Sequence, residues 1–189
     1  MIPLLYKIYF STILISAIYF LSISTLPVYS HLCIFLLINS YYTLGEYIIH
    51  KYLFHDMIKE IHKKHHDDPM KYYRLFIPIR VTVFNDILLF LFGWTFFHDY
   101  LLPIMASAHL SYLLFEYCHY SSHYKNCTFL PPRRLIAFHH LHHFNERGHF
   151  GFTTPFWDIV FGTTTHTFPL SYYPLSFLPI SVISFLSIK

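Results

Sequence analysis

The sequence predicts an all-α integral membrane protein, with four transmembrane helices arranged as two hairpins and a cytoplasmic helical cap rich in histidine. Three observations carry this expectation. Of 189 residues, 54% are hydrophobic and only 12% are charged, against a charged share of about 25% in soluble domains. The apolar residues gather into long uncharged runs. The lysines and arginines lie between and after those runs, with a net charge of only +3.

The first run, Ile8 to Leu26, carries no charge, and at about 1.5 Å per residue it nearly crosses a hydrocarbon layer of roughly 30 Å. Lys7 precedes it in the manner of a secretory signal. The run nevertheless exceeds the signal core of about 7 to 15 residues, so a span over about 8–26 is expected. A second uncharged run, Pro27 to Gly45, follows a Pro-Val-Tyr-Ser turn, giving a span over about 30–50 and closing the first hairpin. Val81 to Phe97, interrupted by Asp86, and Tyr100 to Phe115 form a second hairpin around His98-Asp99, with spans over about 81–97 and 100–118.

Orientation comes from the basic residues. Lys51, Lys59, Lys63, Lys64, Lys71, Arg74 and Arg80 lie between the hairpins, and Lys125, Arg133, Arg134 and Arg147 follow the second, whereas the hairpin tips have none. The positive-inside rule then makes 51–80 and 119–166 a cytoplasmic cap. The basic residues beside two membrane hairpins set topology and touch anionic headgroups, and no nucleic-acid partner is expected. Phe168 to Ile188 is apolar but broken by Pro169, Pro174 and Pro179, which favours an interfacial segment over a fifth span. No repeat or linker divides 1–189, so one membrane-embedded domain is expected. Cys33, Cys118 and Cys127 have neither CxxC spacing nor an even count, which argues against a disulfide framework.

The histidines fall into four ordered groups on the cytoplasmic side. His50 and His55 lie in HKYLFH, His62, His65 and His66 in HKKHH, His119 and His123 in HYSSH, and His139, His142 and His143 in HHLHH. HxxHH places imidazoles at i, i+3 and i+4, and HxxxH at i and i+4, so on a helix each group projects from one face as metal ligands must. HKYLFH fits less simply, because five steps of about 100° set His50 and His55 some 140° apart. Either the helix changes there or the two serve different metals. His31, His98, His109 and His166 stand outside any motif and read as interfacial or core residues. His140 and His149 are left out of the ligand set by helical direction and turn position, and Asp158 in FWDIVFG reads as a buried structural acid.

Ten imidazoles far exceed the four ligands of a structural zinc and imply two metal ions. Imidazole suits Fe, Zn and Cu alike, so ligand type alone does not choose among them. Glu46 precedes His50 by four residues and Glu116 precedes His119 by three. Each is expected to accept the second ring N–H of its histidine and fix its tautomer.

On these motifs the chain resembles the fatty acid hydroxylase/sterol desaturase superfamily of integral-membrane di-iron oxygenases. GEYIIHKYLFH, KYYRLFIP and FHHLHHFNERGHFGFTTPFWDIVFGT are most similar to fatty acid 2-hydroxylases, over roughly Gly45 to Thr163. The resemblance implies two Fe ions, with zinc as a substitute, on His50, His55, His62, His65, His66, His119, His123, His139, His142 and His143, with no catalytic residue beyond them. It implies O2-dependent hydroxylation of a fatty acyl chain entering from the bilayer, in the endoplasmic reticulum of a eukaryote or the inner membrane of a bacterium. A sterol or carotenoid hydroxylase, or a lipid desaturase, is the alternative on the same scaffold. A non-catalytic metal binder or transporter is the alternative of another class, and a transporter would carry ionisable residues at mid-membrane. No GxGxxG, no CxxCH and too few cysteines for a cluster are present. Electrons from NAD(P)H are therefore expected through a carrier such as cytochrome b5 or ferredoxin with its reductase, docking near Lys63, Lys64, Arg133 and Arg134.

Overall fold

A computed structural model of the chain describes residues 2–71, 75–124 and 133–164. The described residues form helices and no strands: α1 (Leu4–Ile23), α2 (Val28–Ile48) continuing as a π-helical stretch (Ile49–Met57), α3 (Lys59–Asp67), α4 (Ile79–Phe96), α5 (Leu101–His123), α6 (Arg133–Phe144) and α7 (Phe156–Val160). Among the described residues, four helices are long and apolar enough to cross a membrane: α1, α2 with its π-helical extension, α4, and α5 with the short turn His98–Tyr100 before it. These are the four spans that hydropathy anticipates. The segment 168–188 lies outside the described residues.

Two compact units are present, one made from Met1–Tyr42 and Phe76–Glu116, the other from Thr43–Leu75 and Tyr117–Lys189. Their boundaries at Tyr42 and Glu116 fall within α2 and α5.

The first unit is the apolar one. Leu5, Ile8, Ile15 and Ile18 of α1 and Phe84, Ile87, Leu91 and Trp94 of α4 are exposed, an arrangement suited to lipid and not to water. Pro78 at the start of α4 has φ −57° and loses no helical bond there, since the first turn has no acceptor for its N–H. Gly93 lets α4 meet the start of α5, because a Cβ there would lie 2.8 Å from Leu101 Cδ1. Polar ties join these helices. Tyr9 OH lies 2.5 Å from Thr82 Oγ1, Ser111 Oγ donates to Asn39 Oδ1 at 3.2 Å, and Ser16 Oγ lies 2.8 Å from His109 Nδ1. The other ring nitrogen of His109 is 3.6 Å from Asp86, which gives the one acid in the third apolar run a partner. Such ties are worth about 0.6 kcal/mol each in a membrane bundle.

The second unit carries the end of α2, the π-helical stretch, α3, the last turns of α5, α6, α7 and the turn 145–155. Two buried acids hold that turn. Asp158, fully buried, accepts from Phe150 N at 2.8 Å, Gly151 N at 2.8 Å and Thr163 Oγ1 at 2.7 Å. Glu46 accepts from the backbone N–H of Phe152 and from Thr153 N at 3.0 Å and Thr153 Oγ1 at 2.7 Å. Gly151 is required here, since a Cβ would fall 2.2 Å from Thr154 O. Asp158 is thus a structural acid bonded to backbone, as the sequence suggests.

Candidate metal centre

The π-helical stretch resolves the HKYLFH geometry. Ile58 N donates to Leu53 O at 2.8 Å, the i+5 bond of a π turn. Residues five apart then stack as residues four apart do in an α-helix. His50 and His55 therefore point the same way, their Nε2 atoms 3.3 Å apart.

The other motifs divide between two groups. His62 and His66 of α3 and His142 of α6 join His50 and His55, while His65, His119, His123 and His139 form a second group; within each, the ligand atoms lie within 4.8 Å of one another. His143 belongs beside both, with Nε2 3.1 Å from His139 Nε2 and its ring stacked on His66 at 4.2 Å. All ten histidines of the four motifs are brought to this one place, and each HxxHH helix serves both groups at once. His140 turns away, its Nε2 2.6 Å from Ser122 O. His149, with φ 62°, packs its ring on Phe138 at 4.3 Å outside both groups.

The first group closes a ring of nitrogen contacts: His50 to His62 at 3.0 Å, His62 to His66 at 3.0 Å, His66 to His142 at 3.2 Å, His142 to His55 at 3.0 Å and His55 back to His50 at 3.3 Å. Every atom is Nε2. In the second group His119 and His65 approach to 3.1 Å and His139 and His123 to 2.9 Å, again through Nε2. With metal–nitrogen bonds of about 2.1 Å, ligands at right angles sit about 3.0 Å apart and tetrahedral ones about 3.4 Å. The observed spacings of 2.9 to 3.3 Å fall in the range that nitrogens sharing one metal ion span.

Protonation supports the same fit. His50 Nδ1 donates to Phe150 O at 2.6 Å and His142 Nδ1 to Gly148 O at 2.8 Å, so their Nε2 atoms carry lone pairs. Both lone pairs approach His55 Nε2, which has at most one proton to share between them. A cation satisfies all three. Burial, first, and the neighbouring rings hold His62 down to about 3 and His143 to about 2, and push His65, His139 and His142 well below the ordinary range. Neutral imidazole is the form that binds metal.

Several supporting groups are not evident from spacing. The carbonyls of Gly148 and Phe150 set ring tautomers. Glu146 places one oxygen 3.9 Å from His55 Nδ1 and the other 3.7 Å from His66 Nδ1. Phe152 stacks on His50 at 4.5 Å and lies 4.8 Å from both His119 and His139, touching each group with one ring. ERGHFG is the only local sign of any of them. The roles expected of Glu46 and Glu116 require correction. Glu46 bonds the backbone of Phe152 and Thr153 and not the His50 ring, whose partner is Phe150 O. Glu116 accepts from Ile77 N at 3.0 Å, and the backbone at Leu75 interacts with the His119 ring. In both cases a carboxylate one helical turn away finds a backbone N–H to accept, and His50 finds a backbone oxygen instead.

The fatty acid hydroxylase family model matches residues 32–163. Dihydroceramide fatty acyl 2-hydroxylase FAH1 of Arabidopsis thaliana is 34% identical over 142 residues, covering 67% of this chain and 58% of the relative. Ceramide very long chain fatty acid hydroxylase SCS7 of Saccharomyces cerevisiae is 36% identical over 143 residues, covering 65% of this chain and 35% of the relative. The solved structure of full-length scs7p, with only its hydroxylase domain visible, superimposes with a TM-score of 0.68 at 25% identity over 85% of this chain and 65% of that one. The chain thus spans between about a third and three fifths of the length of these curated relatives.

Proposed function

The chain belongs to the fatty acid hydroxylase family, and from that premise we propose that it hydroxylates the acyl chain of a membrane lipid in the manner of a 2-hydroxylase, with O2 and two iron ions held by the ten motif histidines. The observation that carries the reading is the convergence of Nε2 atoms in two neighbouring groups. The names of its relatives support an acyl substrate, and the membrane spans support a lipid one. Iron is favoured over zinc because the five converging nitrogen donors of the first group exceed zinc's usual four, and because zinc has no redox chemistry. Zinc remains a substitute in purified protein.

Iron held by these histidines would supply O2 activation, in which O2, two electrons from an external donor and two protons convert one C–H bond to C–OH and release the second oxygen atom as water. The chain's own residues position the metals and keep water away. Phe54 stacks on His62 at 5.1 Å, Phe150 lies 5.6 Å from His55 and from His142, and Phe152 covers His50. These rings form an apolar jacket of the kind that controls solvent access to a metal site.

Cells expressing the chain under isotopically heavy O2 are expected to accumulate lipids carrying one heavy oxygen at carbon 2 of the acyl chain, read by fragmentation mass spectrometry. Label arriving from water, or a product two hydrogens lighter with no added oxygen, would overturn hydroxylation.

The distribution of lysine and arginine supports a cytoplasmic side for the histidine groups, in the endoplasmic reticulum or a bacterial inner membrane. With Cys33 replaced by serine, a cysteine at exposed Tyr29 is expected to react with an impermeant thiol reagent only from the non-cytoplasmic side. One at exposed Met70 should react only from the cytoplasm. Labelling of Met70→Cys from outside would separate the histidines from a cytosolic electron supply and reverse the assigned topology.

A further inference from the structure

The turn 148–151 does more than connect α6 to α7. Its two outward carbonyls, those of Gly148 and Phe150, are the acceptors for Nδ1 of His142 and His50, at 2.8 and 2.6 Å. Those rings come from helices far apart in sequence, and the turn is what they share. A ring whose Nδ1–H is held by a carbonyl keeps its lone pair on Nε2 and cannot swing. The turn therefore acts as a template for the five-histidine group, provided it is itself rigid.

Its rigidity has an identifiable source. Asp158 takes the N–H groups of Phe150 and Gly151 on its two oxygens, at 2.8 Å each, and Thr163 Oγ1 at 2.7 Å. His149 between the two carbonyls has φ 62°, a left-handed conformation that a non-glycine residue keeps only where its surroundings enforce it. Its N–H is bonded to Thr163 O at 3.2 Å, so Thr163 holds the same turn at a second point. Gly151 lies against Asp158, a Cβ there coming within 3.1 Å of Asp158 Oδ2.

In the second group the His119 ring meets the backbone at Leu75 and not this turn. Among the described residues, no hydrogen-bond acceptor meets Nδ1 of His65 or of His139. The carbonyls of the turn thus serve rings of the first group, and toward the second group the neighbouring Phe152 offers ring contacts and no hydrogen-bond acceptor.

We infer that Asp158 is a positioning residue for the first metal site: by fixing the turn 148–151 it orients His50 and His142, and its loss loosens metal at the five-histidine group while sparing the group built on His65, His119, His123 and His139. This rests on the two-metal reading. Loss of a hydrogen-bonding partner around a metal site costs about 10- to 100-fold in affinity, and Asp158 acts one bond further out, so about a tenfold faster loss is expected.

The test uses the full chain in detergent, loaded with iron or zinc and dialysed against a chelator, with metals counted per folded, monodisperse chain. Wild type retains two. Asp158→Ala is expected to fall to one about tenfold sooner, and combined with His139→Ala, which alone retains one, to fall to none. Asp158→Asn, which keeps one accepting oxygen, should lie between. If Asp158→Ala fails to fold, Thr163→Val removes one bond to the carboxylate without emptying its place and should speed loss from the same group. Equal retention in Asp158→Asn, Thr163→Val and wild type, or loss of both metals together from folded protein, would overturn the inference. Fewer than two metals in wild type would overturn the two-metal reading instead.

Discussion

Replacing His119 by alanine is expected to lower purified protein from two metal ions per chain to about one and to reduce hydroxylation below detection. His119 Nε2 lies 3.1 Å from His65 Nε2 and the residue is buried, so no solvent ligand enters freely in its place. Removal of a direct donor should exceed the roughly 10- to 100-fold affinity loss that follows removal of an outer partner. His109→Ala is the control. It is also buried, ten residues earlier on the same helix, but its nitrogens meet Ser16 and Asp86. That variant should keep two metals and most of its activity, with a stability loss on the order of 1 kcal/mol from the severed tie. Elemental analysis with a turnover assay decides the matter. Equal metal loss from His109→Ala and His119→Ala would mean that the two groups are not the ligand set.

Purified chain given NAD(P)H, O2 and lipid alone is expected to make no product, and addition of a small acidic carrier with its reductase should start turnover. Hydroxylation consumes two electrons per cycle. These 189 residues contain no dinucleotide fingerprint, no CxxCH and only three cysteines, which is why an external donor is expected. Lys59 and Lys64 of α3 are exposed, on the helix that also presents His62, His65 and His66. Charge steering toward such a face weakens with salt, because the Debye length falls from about 10 Å at 0.1 M to about 3 Å at 1 M. Lys59→Glu with Lys64→Glu should slow carrier-limited turnover severalfold and leave metal content unchanged. Product formed steadily without a carrier would refute the requirement. Salt-independent turnover under carrier limitation would refute α3 as the docking face.

The sequence by itself determined what depends on local chemistry. Uncharged runs long enough for a bilayer located four spans, and the helices begin and end within a few residues of those expectations apart from the π-helical extension of α2. Helical spacing picked out eight of the ten motif histidines, because i, i+3 and i+4 share a face wherever the helix lies, and left His50 and His55, five apart, without a common face. Helical direction set apart His140, turn position His149 and absence from any motif His109, and the structure leaves all three outside both groups. Only the tertiary structure decided how those histidines divide. His62 and His66 face one group and His65 the other, and His142 parts from His139 in the same way, because two sites lie side by side under each helix. The turn of helix that unites His50 and His55 needed an i+5 bond that composition does not announce. The partners of Glu46 and Glu116 were misjudged for the same reason. A carboxylate one turn from a histidine has equal access to any N–H the fold brings near, and for Glu46 the fold brought Thr153 from 107 positions away. Sequence spacing reports which side chains can act together along one helix, whereas the contacts that orient them are made between segments whose meeting depends on the whole packed unit.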